Sequence, residues 1–377
     1  DRTGNVSVDL EYDADRARSG AANGGAMTVS SERELTEPVD LCDSAGHLNP
    51  EAIGWSRVPL HRANLRGAYG RKKRWDYWCF INSDLYVAVT YADVDYLGIT
   101  AVWIHQPSTG FTASIEPPAP FARGFVHTER SGVGTMSVRN AVRLGNGPVG
   151  LRIEDRPDAT LIKVAADRTA WGPLDLDVAV ERPEGHESLN VVIPWSLRRF
   201  QYTAKDNSRR VRGHISIGDR RFDLGAEGDE TTWGILDVGR GLWRYNNRWN
   251  WASGSGIASG GAVVGLQFGG KWTEGTGYNE NALCVDGRLH KIHNELSWDY
   301  DWDHPLRPWR VIDPVGGLVE ATLSPTHDRH SKVSIGVLSM EVHQVFGTWA
   351  GTITSESGDL VTFDAVVGFA EEARNRW

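Results

Sequence analysis

Two carboxylates in this sequence are placed where proton chemistry could be done. Asp237 follows the apolar pair Ile235 and Leu236 and precedes Gly239, Arg240 and Gly241, which reads as a buried strand entering a loop. A carboxyl desolvated on one side keeps its proton more readily, as a general acid must. An aspartate that caps the turn or pairs with Arg240 is the competing reading of the same residues. Glu280 stands between Asn279 and Asn281, directly after the glycine-rich GGKWTEGTGY. Amide neighbours on a loop suit an orienting or basic carboxylate, with Asn281 as a hydrogen-bonding partner for a ligand, although a turn-forming Asx cluster has the same composition.

Aromatic residues crowd around these two carboxylates. From Trp233 to His293 the chain carries five of its 16 tryptophans and two tyrosines, with two glycine-rich stretches between them. Trp249 and Trp251 are two apart and share one face of a strand, while Trp243 enters from the preceding loop. Trp272 and Tyr278 flank the second glycine-rich stretch. Such a wall can stack on a sugar or a lipid chain, or face a carbocation through its ring quadrupoles. Core packing is the plainer use, since each indole buries about 150–250 Å² and its N–H needs a partner.

Other chemistries find less support. His290 and His293 are three apart and fall on opposite faces of a strand, so they do not share a metal; His290 is read as a ligand-facing group that orients water or takes a proton. The run from Trp298 to Asp303 alternates aromatic and acidic residues, which on a strand gives an aromatic inner face and a solvated acidic one. No GxSxG elbow, P-loop, HExxH or GxGxxG follows a strand in a convincing context. Neither a metal nor a cofactor is expected.

The elements that must hold these residues are strands. Apolar residues recur with period two over Leu85–Tyr91, Leu161–Val164, Leu189–Ile193, His214–Ile217 and Val333–Leu338, and alternation of that kind turns one face inward. Forty-two glycines, many in Gly-Asp, Asn-Gly and Asp-Gly turns, supply frequent reversals. One short helix is expected at Glu371–Trp377. The fold class that follows is all-β, two tandem antiparallel β-barrels, because closing a barrel removes exposed strand edges. The Pro194–Ser196 break divides the chain into a first barrel over 31–195 and a second over 196–377, with residues 1–30 as an extension.

Bulk properties narrow the class further. A net charge of −9, without a basic block interleaved with aromatics, lacks the electrostatic footprint of nucleic-acid binding. Three cysteines, Cys42, Cys79 and Cys284, show no metal-like spacing and suit a reducing compartment. No run of about 18 apolar residues reads as a transmembrane segment, and no leader pattern is seen. A cytoplasmic protein with a small-molecule ligand is the expectation.

The motifs ERELTEP, GWSR, VVIPWSLRRFQYTAK, LDVGRGLW, WNWASGSG, GGKWTEGTGYNENAL and DGRLHKI closely resemble the family named for domain of unknown function 2804, from about residue 31 to the last residue. More remotely, Phe200 to Thr203, the turn near Gly213, Trp233 to Asp237, and Trp249 to Trp251 resemble the carotenoid 1,2-hydratase (hydroxyneurosporene synthase) superfamily. That second resemblance implies two lipocalin-like barrels, and it implies that Asp237 matches the strand-end aspartate that protonates an alkene, with Tyr202 nearby in the ligand pocket. This chain departs from the pattern by placing Val238, Gly239 and Arg240 after Asp237, where the superfamily has an acidic residue and a tryptophan.

Three functions are weighed from these residues. The first is an acid-assisted enzyme in which Asp237 protonates a lipid- or isoprenoid-like molecule for addition, isomerisation or cyclisation, and Glu280 or His290 handles water or a proton. Second comes a non-catalytic lipid- or pigment-binding protein, and third a carbohydrate-active enzyme using Asp237 and Glu280 as paired carboxylates. In each the ligand contacts are assigned to Tyr202, Arg240, Trp243, Trp249, Trp251, Trp272, Tyr278, Asn281 and His290.

Overall fold

A computed structural model describes residues 32–140, 148–226, 231–336 and 338–377. The extension assigned to residues 1–30 lies outside the described residues. The fold is all-β, as its period-two patterning requires, and among the described residues the one helical turn is a 3-10 segment at Pro50–Ala52. No helix among them is long and apolar enough to cross a membrane.

Eleven strands shape the site. In chain order they are β1 (Lys72–Asn82), β2 (Leu85–Asp93), β3 (Leu97–Gln106), β4 (Leu189–Ser196), β5 (Arg199–Ile217), β6 (Trp233–Leu242), β7 (Asn246–Ile257), β8 (Val263–Gly270), β9 (Val319–Ile335), β10 (Leu338–Thr354) and β11 (Leu360–Arg376). In the first sheet the ladder runs β3, β2, β1, β6, β5 and on through the strands Gly172–Glu181, Ala159–Thr169, Val149–Asp155 and Gly134–Asn140; β4 pairs with the opening half of β5. The second sheet is ordered β8, β7, β11, β10, β9, with short strands at either edge.

Each sheet curls round a core of its own. Ile115 near one edge of the first sheet and Met136 near the other belong to the same cluster as Trp78, Val178 and Val238, which a flat sheet could not bring together. In the second sheet Leu283, Phe268, Trp349, Trp309 and Val311 do likewise. Trp78, Trp309 and Trp349 are thus ordinary core residues, fully buried. A third cluster joins the two barrel-like sheets back to back: Cys79, Ile81, Trp103, Trp233 and Ile235 from the first meet Trp251, Phe346 and Phe369 from the second.

Several expectations need correcting. The Pro194–Ser196 break is the turn end of the β4–β5 hairpin and lies inside the first sheet, which continues to Leu242; the chain changes sheet between Leu242 and Asn246. Gly239, Arg240 and Gly241 do not form a loop but continue β6, paired on one side with β5 and on the other with β1. Their glycines serve close approach, since a Cβ on Gly239 would lie 2.1 Å from the Trp75 indole and one on Gly241 2.3 Å from the Gln201 side-chain oxygen. Residues 371–377 are not helical. Glu371 to Arg376 end β11, hydrogen-bonded to β7 and to β10, and ladders on both sides outweigh the helix propensity of Ala and Glu. The alternating run at Trp298 forms a strand only over Ser297–Asp299; beyond it Asp301 accepts from His304 and Arg307 in a turn.

Candidate functional site

Period two decides which side chains reach the space between the sheets. On β6, Leu236, Val238 and Leu242 point into the first core, so Ile235, Asp237 and Gly239 point out of it. Asp237 stands in register between Lys205 of β5 and Tyr77 of β1. The second sheet faces them with Trp249 and Trp251 of β7, Glu371 of β11, Met340, Val342 and Gln344 of β10, and Arg329 and Ser331 of β9. Together they line a cavity of about 250 Å³, completed by Trp75, Thr203, Trp243, Trp272, Glu280 and Trp377 and, from β2 and β3, by Thr90, Ala92, Ile99 and Ala101.

Glu280 arrives from a loop. Asn281 accepts from the Gly269 amide and Asn279 donates to the carbonyls of His293 and Asn294, so the two asparagines fasten the backbone while the glutamate between them points into the cavity. Gly269 leaves room for it, because a Cβ there would lie 2.1 Å from the Glu280 side chain.

Besides the exposed Glu116, three carboxylates meet the cavity, and each of the three accepts an indole N–H: Trp75 donates to Asp237 at 3.0 Å, Trp272 to Glu280 at 2.7 Å, and Trp249 to Glu371 at 2.8 Å. The indoles themselves pack together, with Trp243 stacked on Trp272 at 5.6 Å and edge-on to Trp249 at 5.7 Å. Lys205 lies between two of the carboxylates, its Nζ 2.8 Å from Asp237 and 3.1 Å from Glu280, which holds those oxygens within about 6 Å of each other. Its ammonium also sits 4.4 Å from the Trp251 ring centroid. Burial disfavours the Lys205 charge, but the two carboxylates outweigh it and raise the pKa.

The carboxylates differ in what they can do. Asp237 accepts from Trp75, from Thr203 at 3.2 Å and from Lys205. Three donors aimed at one carboxylate make it an acceptor, whereas the sequence cast it as the proton donor. Burial pushes Glu280 up to about 7, Lys205 pulling against it and Asp237 adding repulsion. Glu371 is also pushed up to about 7, first by burial, against the Trp249 hydrogen bond and with repulsion from Asp237. Among the described residues it forms no ion pair; its second oxygen accepts from Gln344 at 3.0 Å. The adjacent Glu372 faces the other way, and although burial raises it, Arg374, Tyr300 and Arg248 bring it down to about 2.

Of the residues singled out from the sequence, Asp237, Glu280, Trp243, Trp249, Trp251 and Trp272 line this cavity. Five others do not. Arg240, one residue out of phase with Gly239, turns into the first core, where it pairs with Asp76 beside Met136. Tyr202, out of phase with Thr203, donates to Asn190 at 2.9 Å inside the same core. Asn281 is used up by the loop contacts above, Tyr278 packs partly buried beside the Trp55 cluster, and His290 sits on the short strand Arg288–Lys291 away from the cavity. Sequence reading missed Lys205, Thr203, Trp75, Tyr77, Arg329, Gln344 and Glu371. Parity could have found Lys205, which is in phase with Thr203 on β5; nothing local marks the others.

Among the described residues one group has metal-ligand character: His330, Glu341 and His343 offer atoms within 4.8 Å of one another. They lie on the β9–β10 face opposite Arg329 and Gln344, and Lys332 already pairs with Glu341 at 3.1 Å. The cavity itself holds one ammonium, one guanidinium and three carboxylates in its inner wall, with no imidazole or thiol.

The family model described as Domain of unknown function (DUF2804) matches residues 32–377. No curated protein matches the sequence significantly. Among solved structures the chain is distantly similar to kievitone hydratase from Nectria haematococca, at 8% identity and TM-score 0.42, covering 81% of this chain and 88% of that one. A similar likeness holds to CghA, at 12% identity and TM-score 0.41, covering 85% and 89%.

Proposed function

The chain belongs to the family described as Domain of unknown function (DUF2804), a description that carries no activity, and we propose from its own site that it binds a compact unsaturated molecule between its two sheets and rearranges or hydrates it by proton transfer. The observation that carries this reading is Glu371: buried, in no ion pair among the described residues, held by Trp249 and Gln344, and facing a tryptophan-lined cavity. A carboxyl with a pKa near working pH is the form of general acid that both gives and recovers a proton.

The proton leaves the Glu371 carboxyl as a new C–H bond forms at one end of a carbon–carbon double bond. The cation at the other end lies against the ring faces of Trp249 and Trp251, whose quadrupoles favour positive charge. Glu371, now a carboxylate, regains a proton either from the carbon beside the cation, which shifts the double bond, or from a water molecule that adds to it. The proton-donor role thus moves from Asp237 to Glu371, and Asp237, Lys205 and Glu280 form a fixed polar wall that orients the ligand or the water. A paired-carboxylate glycosidase is less well supported, because the Lys205 ammonium occupies the gap where a glycosidic bond would lie between Asp237 and Glu280.

The test is deuterium incorporation. Purified protein is incubated in D₂O with a panel of short unsaturated isoprenoids chosen by tryptophan-fluorescence quenching, and products are read by mass spectrometry. Wild type is expected to place deuterium on carbon, and Glu371→Gln to bind the same compounds without exchange. Ligands that quench but never exchange with wild type would leave a binding protein in place of an enzyme.

A further inference from the structure

We infer that the ligand of this cavity is an anionic amphiphile, a molecule with an unsaturated apolar body and a carboxylate head, and that Arg329 receives the head. The inference rests on the cavity being a ligand site and adds the chemical class of that ligand.

Arg329 lies on β9 directly across from Gln344 of β10 and lines the cavity with Ser331, Met340 and Val342. Its guanidinium stacks on Trp103 from the first sheet, 4.9 Å from the ring centroid, and donates one N–H to the Gln344 side-chain oxygen at 3.3 Å. That bond accounts for one of its five donors. Of the buried cations, Lys205 has Asp237 and Glu280 beside it, Arg240 has Asp76, Arg209 has Asp206 and Lys291 has Glu32, while Lys73 spends its donors on the carbonyls of Gly70 and Val94 and the Tyr96 hydroxyl. Arg329, half-buried in the cavity wall, has no carboxylate within ion-pair distance among the described residues, and its donors are not spent on backbone carbonyls as those of Lys73 are.

The charge around it sharpens the point. Lys205 is compensated by its own two carboxylates. Glu371, the acid nearest along the Gln344 bridge, is pushed up to about 7 and stays largely protonated in mildly acidic solution. Glu116 is on the exposed rim, where it accepts from Ser114 at 2.6 Å. A planar fork stacked on an indole, with its outer edge unused, is preorganised for bidentate contact with a carboxylate. An apolar body attached to that head would run inward along Trp251 and Trp249 toward Glu371. The volume, below the ~300–1,000 Å³ of drug-sized pockets, suits a body of about ten carbons.

The experiment compares two probes with one body, geranate and geraniol, by tryptophan-fluorescence titration at about pH 6, where a free carboxylic acid is ionised. Wild type should bind geranate at least about ten-fold more tightly than geraniol. Arg329→Met should lose that preference while its geraniol affinity stays within about two-fold of wild type, and Arg329→Lys should recover part of it. Near-UV circular dichroism and the geraniol arm together report an intact cavity in each variant. Equal binding of both probes by wild type, or an Arg329→Met variant that weakens both alike, overturns the carboxylate assignment and leaves the cavity reading standing. Quenching by neither probe overturns both.

Discussion

Glu371→Gln should flatten the dependence of stability on pH. Burial carries this carboxyl from 4.5 to about 7 in the folded protein, a shift that corresponds to about 3 kcal/mol between its protonated and ionised forms. The folded state therefore binds the proton more tightly than the unfolded chain. That contribution is fully present below about pH 4.5, declines as pH rises, and is gone once pH passes about 7. Glutamine keeps the shape and can still accept the Trp249 N–H, but it cannot ionise. Its NH₂ faces the Gln344 amide group that donates to Glu371, so Gln344 must flip and forfeit its weak bond from Arg329, while the Tyr77 hydroxyl that donates to the same oxygen turns to accept from the amide, a cost of about 1 kcal/mol that does not vary with pH. Relative to wild type the variant should gain about 3 kcal/mol between pH 4.5 and pH 8, equivalent to about 4 °C in Tm for a chain of this length. Differential scanning fluorimetry across that range measures it. Two Tm curves that run parallel from pH 4.5 to pH 8 would refute the claim that Glu371 is buried in its neutral form.

Two further substitutions probe the polar framework. Lys205→Met removes the cation between Asp237 and Glu280 and should destabilise the protein by about 3–5 kcal/mol, more at pH 8 than at pH 5, because Glu280, already pushed up to about 7 by burial, can escape the repulsion by keeping its proton; a urea midpoint that falls equally at both pH values would count against this arrangement. Arg240→Met strands Asp76 in the first core and should cost a similar amount, yet leave ligand quenching of the folded protein unchanged, since Arg240 does not reach the cavity; a selective loss of ligand affinity would return Arg240 to the site.

How much of this was legible in the sequence depends on whether a residue's role is set by its neighbours in the chain or by those in space. Strand character was local: Leu85–Tyr91 and Leu189–Ile193 are rich in β-branched and aromatic residues and are strands. Trp249 and Trp251 share a face because period two demands it, wherever β7 is placed. The same rule, carried through Gly239, Arg240 and Gly241, would have put Asp237 and Arg240 on opposite faces of β6, but two glycines read as a loop and the parity was lost. Glu371 failed for a different reason. FAEEAR has the local composition of a helix, and only the ladders to β7 and β10, contributed by segments up to 130 positions earlier in the chain, make it a central strand. Arg329 and Trp103 likewise meet only because two sheets pack back to back, and the sequence of neither strand names the other.

The density of tryptophan has a physical explanation in the same packing. A carboxyl buried beside apolar rings needs a donor, or it loses roughly 1–3 kcal/mol through an unmet acceptor, and an indole is the one aromatic side chain of the core that supplies an N–H and no acceptor of its own. Phenylalanine could line the cavity but not hold its acids; lysine could hold them, as Lys205 does, but would favour the ionised form. Trp249 satisfies one oxygen of Glu371 with a neutral donor and so leaves its proton available. Replacing the indole by phenylalanine would keep the wall and abandon the carboxyl, whereas replacing it by arginine would keep the hydrogen bond and hold the group in its ionised form. Under the proposed function, a cavity that presents a protonated acid at Glu371 therefore needs tryptophan at position 249, whereas Trp75 and Trp272 supply neutral donors to the two carboxylates that already share the Lys205 charge.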